Sequence, residues 1–336
     1  MNIKTTFRGL IATALITTLA GCSTNPVSGK RDFTLINEEQ ELSIGAQGHK
    51  SIMKQKKRYN NSGLQAYVNN IGQELAKQSH RSDIRYTFTV LDDPTVNAFA
   101  LPGGYVYVTT GLMAYLNSEG ELAGVLGHEI GHVTAKHGVK QQSAGAVGAV
   151  LQSILADQAG VTAGKGFGQL GQALLSGYGR DHELQADKLG AEYLARVGYD
   201  PENMIEVVSV LKSQEEFEKY QAQKEGRKVQ AYHGVFSSHP DNDTRLKEVI
   251  RQANKFKTQT TRDAGHDKYL KQIDGMSFRI DKNNNGRIVV GRATTPGLTY
   301  ATLAQKSKVN EQRLRLINGM FPKGQPVQGS LVKVIQ

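Results

Sequence analysis

Cysteine is nearly absent: the chain of 336 residues carries one. A single thiol forms no internal disulfide and builds no Cys-rich zinc module, so any metal site must come from His, Glu and Asp. Proline is scarce too, with 8 residues against 36 glycines. The glycines follow no three-residue period, which excludes a collagen-like rod. At 38% apolar and 21% charged residues, the chain is neither disordered nor a multispanning membrane protein. Acidic residues fall short of basic ones, 31 against 41, giving a formal charge of +10. That excess is dispersed. Its densest run, Lys50, Lys54, Lys56, Lys57 and Arg58, reads as a solvated helix face.

The clearest apolar run lies at the start. Lys4 and Arg8 precede Leu10 to Ala20, which is too short to span a bilayer and reads as the core of a signal peptide. It ends in Leu19-Ala20-Gly21-Cys22, which resembles a bacterial lipobox, where cleavage before the cysteine leaves a lipid-bearing N-terminus. Acyl chains on Cys22 would hold a membrane at about 0.8 kcal/mol per buried methylene. Ser23 then implies sorting to the outer membrane, on its periplasmic side. A lipid-anchored periplasmic protein is not expected to have a nucleic-acid partner.

Leu64, Val68, Ile71 and Leu75 recur at helical spacing, whereas Tyr86, Phe88 and Val90 alternate as in a strand. The segments 97–101 and 105–109 flank Pro102-Gly103-Gly104, a strand–turn–strand signal. Ser118 and Glu121 make a capping box for a helix that should run to about Lys136. Residues 141–180 are rich in Gly, Ala and Gln and read as loosely packed helices or a flap over a cleft. Gly166-Phe167-Gly168-Gln169-Leu170-Gly171 matches the dinucleotide pattern but follows no strand, so that reading is set aside. Further helices are expected over 180–197, after Pro201, and from Pro240 to about Phe256.

The strongest chemical signal is His128-Glu129-Ile130-Gly131-His132. On a helix, positions i and i+4 share a face with Cβ atoms about 5–6 Å apart. Two imidazoles so placed can hold one zinc ion, and Glu129 can reach water at that ion. A third ligand is needed. The metzincin pattern fails, because Ala135 and Gly138 stand where Gly and His are required. His137 is out of register and reads as a helix-end residue. Glu183 and Asp187 lie four apart on another helix. Glu183 is therefore assigned as the third ligand. Asp187 should support the site by accepting the free imidazole N–H of His128 or His132.

His128-Glu129-x-x-His132, Glu183-x-x-x-Asp187, the segment Asn97 to Gly104 and Ser238-His239-Pro240 with Arg245 together resemble the HtpX, CAAX-prenyl-endopeptidase and BepA-like family of gluzincin zinc metallopeptidases. The resemblance covers residues 32–255. It implies an α+β fold: a mostly helical zincin-type metalloprotease domain with a small β-sheet or hairpin at the cleft edge. It implies one Zn²⁺ per chain, and unfolded or misassembled outer-membrane and periplasmic proteins as substrates. It also implies catalytic roles for His239 and Arg245 near the metal, facing the oxyanion. Asn97 and Ala98 are the expected contacts on an edge that pairs with an extended substrate.

Near the C-terminus, Asp281 to Arg292 starts like a calcium loop, but Arg292 stands where Glu is required, which excludes it. Residues 299–334 are similar to a degenerate LysM module, with Leu303, Val309, Leu314, Leu316 and Ile317 as core. Such a βααβ module would contact peptidoglycan or assembly machinery. The expected organisation is a lipoprotein signal peptide (1–21), a lipidated tether (22–31), the metallopeptidase domain (32–256), a linker (257–275), and the hairpin with the LysM-like module (276–336). The expected function is envelope-protein proteolysis. The alternative is a chaperone-like or peptidoglycan-associated binding protein with a latent metal site.

Overall fold

A computed structural model describes residues 22–27, 29, 31–143, 179–228, 242–256, 262–281 and 283–336. The expected signal peptide and most of the glycine-rich 141–180 segment lie outside these residues. The expected tether is a small hairpin: β1 (Cys22–Thr24) pairs antiparallel with β2 (Arg31–Phe33). Helix α1 (Glu38–Gln55) starts with a complete capping box between Asn37 and Gln40. Helix α2 (Ser62–Lys77) buries the apolar row seen in the sequence, with Leu64, Val68, Ile71 and Leu75 each at 5% exposure or less.

Strands β3 (Thr87–Leu91), β4 (Ala98–Leu101) and β5 (Tyr105–Thr109) form a sheet of order β3-β5-β4. β3 runs parallel to β5, and β4 antiparallel. The turn between β4 and β5 needs glycine. Gly104 has φ +92°, and a Cβ there would lie 2.7 Å from the Arg85 carbonyl oxygen. The outer edge of β3 is covered, with Tyr59 N–H donating to Val90 O at 2.9 Å. Among the described residues, no strand pairs with the outer edge of β4.

A short helix, α3 (Thr110–Met113), leads into α4 (Glu119–Thr134), and every residue of α4 is buried. The capping box is modified. Ser118 Oγ accepts the Glu121 N–H, but the Glu121 carboxylate reaches back to the Asn117 N–H at 2.7 Å. α4 packs chiefly on α5 (Arg180–Arg196), and both touch the long α6 (Asn203–Lys224). Small residues permit that crossing. A Cβ on Gly127 would stand 3.3 Å from Gly190, and one on Gly131 would stand 3.0 Å from the Ala186 carbonyl oxygen. Helix α7 (Asn242–Phe256) closes over α5 and α6.

The stretch expected as a linker carries a packed helix instead. α8 (His266–Ile273) buries Tyr269, Leu270 and Ile273, and Tyr269 donates to Met113 O at 2.6 Å. Its apolar residues are spaced for one face, but they are too few to outweigh the polar composition of 257–275 when the sequence is read alone. β6 (Ser277–Arg279), β7 (Asn285–Arg292) and β8 (Leu331–Ile335) form the C-terminal sheet, with α9 (Tyr300–Ala304) and α10 (Glu311–Ile317) between β7 and β8. The βααβ order agrees with expectation. One hydrophobic core runs from Leu64 through Tyr269 to Ile335, so this sheet is continuous with the rest of the fold. The architecture is thus α+β and mostly helical. No described helix is long and apolar enough to cross a membrane.

Candidate metal centre

The crossing of α4 and α5 brings Glu183 against His128 and His132, which stand over fifty positions earlier in the sequence. His128 Nε2 and His132 Nε2 lie 3.0 Å apart. Glu183 Oε2 is 3.5 Å from the first and Glu183 Oε1 is 3.4 Å from the second. All three residues are buried. These separations fit one zinc ion, because donors about 2.0–2.1 Å from a tetrahedral centre stand roughly 3.3 Å apart. The side chains His128, His132 and Glu183 would hold it. Sequence spacing put the imidazoles on one face; only the close helix crossing delivers the carboxylate.

Both rings are oriented by their other nitrogen. His128 Nδ1 lies 2.8 Å from Asp187 Oδ1, so the carboxylate accepts that N–H and leaves the Nε2 lone pair facing the site. His132 Nδ1 lies 2.9 Å from His137 Nδ1, and His137 Nε2 is 3.0 Å from Gln185 Oε1. Gln185 Oε1 can only accept, so His137 Nε2 donates and His137 Nδ1 accepts from His132. His132 Nε2 is then also a lone pair. His137 is wholly buried and stacks on His182 at 4.2 Å, so it is no simple helix-end residue. Sequence reasoning missed this relay. Its only trace is a histidine five residues beyond the motif, off the helical face.

Arg245 takes a different place from the expected one. Its Nε and Nη2 donate to Asp187 Oδ2 and Oδ1 at 2.8 and 2.7 Å, and its Nη1 is 3.3 Å from Glu183 Oε2. This buried guanidinium braces the two carboxylates, a role the sequence reading did not give it. The reason is tertiary: α7 packs across α5, directly behind its acidic pair. His239 lies outside the described residues.

The electrostatics of the site are those of an anionic pocket built for positive charge. Burial would push the His128 pKa down, but Asp187 and then Glu183 outweigh it and lift it to about 9. Burial would raise Asp187, but Arg245 and His128 hold it below the usual carboxylate value. Burial and the neighbouring His182 lower His137 to about 3, so it stays neutral as the relay requires.

Glu129 is buried beside the donors and lines a cavity of about 20 Å³ with Ala98, His128 and Arg245. That volume holds roughly one water. Ala98 therefore sits where the edge strand meets the site. Asn97 is half-exposed and precedes the strand, its backbone held by Thr109.

A buried His-Glu-x-x-His helix crossed by a glutamate-bearing helix defines a zinc metallopeptidase. Residues 62–253 match Peptidase family M48, and the chain belongs to that family. It is 29% identical over 208 residues to the beta-barrel assembly-enhancing protease of Yersinia pestis, covering 59% of this chain and 40% of that protein. Against the protein of the same name from Escherichia coli K12, identity is 26% over 245 residues, 70% of this chain and 48% of the relative. The mitochondrial metalloendopeptidase OMA1 of Schizosaccharomyces pombe is 27% identical over 182 residues, 52% of this chain and 53% of that one. The chain thus spans about half, or less, of the length of these relatives.

Proposed function

We propose that this protein is a zinc-dependent endopeptidase that degrades misfolded or unassembled envelope proteins at the periplasmic face of the outer membrane, tethered there by lipid on Cys22. The observation that carries the proteolytic part is the convergence of His128, His132 and Glu183 beside a buried Glu129. The lipobox-like Leu19 to Cys22 supports the anchoring, and similarity to beta-barrel assembly-enhancing proteases supports the substrate class.

Zinc, when bound, supplies Lewis acidity at the scissile carbonyl. The protein does the remainder. Glu129, which lines the one-water cavity, takes a proton from the attacking water and passes it to the leaving nitrogen. Asp187 and the His137–Gln185 relay hold the N–H of each ligand imidazole on Nδ1, so that Nε2 is the atom each ring would offer to the metal. Arg245 holds Glu183 and Asp187 in place. The outer edge of β4 offers main-chain pairing to an extended chain, which reads conformation more than sequence and suits unfolded substrates. His239 enters the proposal from the sequence alone, as a residue that approaches the reacting carbonyl or restrains the resting enzyme. Peptidoglycan or assembly-machinery contact through 276–336 likewise belongs to the proposal.

The test is casein and misfolded-porin cleavage by wild-type, Glu129→Gln and chelator-treated protein. Glu129→Gln should lose at least about 10²-fold in rate with zinc content unchanged. Wild-type rates from that variant would end the proteolytic reading. They would leave a binding protein with an inert metal site.

A further inference from the structure

A second cavity, of about 650 Å³, lies between the C-terminal sheet and the segment that leads into β4. Pro94, Val96 and Gly111 form one wall. Arg279, Arg287, Lys308 and Arg313 line the other, facing a single acidic side chain, Asp92. Arg279, Arg287 and Lys308 are exposed. Arg313 lies over the Phe278 ring at 5.2 Å and donates to Ile280 O at 2.8 Å. Gln336 also lines the cavity, and its backbone oxygen accepts the Arg287 backbone N–H at 2.6 Å. Among the described residues, Arg287 and Lys308 make no ion pair, so their charge is available to a ligand, while Arg313 also feels the Asp281 carboxylate.

The cavity's position gives it meaning. Ala98 lines the small cavity beside Glu129, and Val96, two residues earlier on the same stretch, lines the large one. At about 3.3 Å per residue, a chain paired along the outer edge of β4 passes from Glu129 into the cationic cavity within two or three residues. The first module to meet such a chain beyond the metal centre is therefore the C-terminal one.

We propose that this cavity is a substrate subsite for acidic side chains, so that the enzyme selects extended polypeptides with Asp or Glu a few residues from the cleaved bond. The inference rests on the peptidase reading above, and it gives the C-terminal sheet a part in substrate choice. Exposed charge pairs are individually weak, so the preference should be modest and salt-sensitive.

The experiment uses fluorescent peptides of one sequence in which a pair of Asp or Ser residues is moved stepwise along each side of the cleaved bond. Binding is read by anisotropy on zinc-loaded protein, and KM and kcat are read separately. Asp peptides with the pair on one particular side should bind about three- to tenfold more tightly than Ser peptides at low salt, through KM, and lose the advantage in 0.5 M salt. Arg287→Glu with Lys308→Glu should reverse the preference, and Asp92→Asn should strengthen it. Equal affinity of Asp and Ser peptides for the wild type would overturn the subsite, as would a preference that survives Arg287→Glu with Lys308→Glu. If acidic peptides bind preferentially but none is cleaved, the subsite stands and the peptidase reading falls.

Discussion

At the level of single residues, the site is a set of carboxylates and imidazoles that are each useful only in the presence of the others. Arg245 is fully enclosed and pairs with Asp187 and Glu183. Removing one partner of a buried pair leaves an uncompensated charge, so Arg245→Met should cost about 3–5 kcal/mol in a denaturant melt of the metal-free protein. His137→Ala removes the acceptor of the His132 N–H. Zinc affinity should fall by about 10–100-fold in a competition titration, alongside about 1–3 kcal/mol of folding stability lost with the buried hydrogen bonds. Unchanged affinity would show that His132 is oriented without the relay.

At the level of elements, the crossing of α4 and α5 decides whether the ligands meet. Its closeness depends on residues without side chains. A Cβ on Gly190 would stand 3.0 Å from the His128 backbone nitrogen, an atom that cannot step aside without moving the ligand. Gly190→Ala should therefore cost about 1–3 kcal/mol and weaken zinc retention, read by urea melts and by metal content after dialysis. The start of α4 is held from the C-terminal sheet. Lys333 is fully buried, and its Nζ donates to Ala114 O at 2.9 Å and Leu116 O at 2.8 Å. Burial pushes its pKa well down, against the attraction of Glu121. Lys333→Met strands two carbonyls, and a loss of about 1–3 kcal/mol is expected by thermal melting.

At the level of the whole molecule, the continuous core predicts that residues 276–336 unfold together with the helical part, in one transition. Acid should reveal ties that span elements. Glu119 accepts from Tyr199 OH at 2.7 Å and pairs with Lys268 of α8 at 2.6 Å. Burial would raise its pKa, but Lys268 and Tyr199 outweigh that and hold it below the usual carboxylate value of 4.5. A depressed carboxylate stabilises the fold fully above its unfolded value and loses that contribution as pH falls through the folded one. The part of the melting temperature that Glu119 contributes should thus persist down to about pH 5 and be lost below it, so the fall below pH 5 should be shallower in Glu119→Gln than in the wild type.

How much of this was legible beforehand differs by scale. Local signals named the helices over 62–77, 119–134 and 180–196, the β4–β5 turn, and the three metal-binding side chains, because helical periodicity, caps and i, i+4 spacing are written in neighbouring residues. The helix over 266–273 was hidden, since its Tyr269 and Ile273 are apolar anchors in a polar stretch. His137 and Arg245 were assigned other duties for a related reason: a side chain's partner across the fold leaves no trace in its own surroundings. The sequence by itself determined which residues could hold a metal and which helix carries each. Only the tertiary structure decided how close α4 and α5 approach, what stands behind the ligands, and that the C-terminal sheet borders the segment leading into β4. Distances across a core are set by packing of residues far apart in the chain, and packing has no local signature.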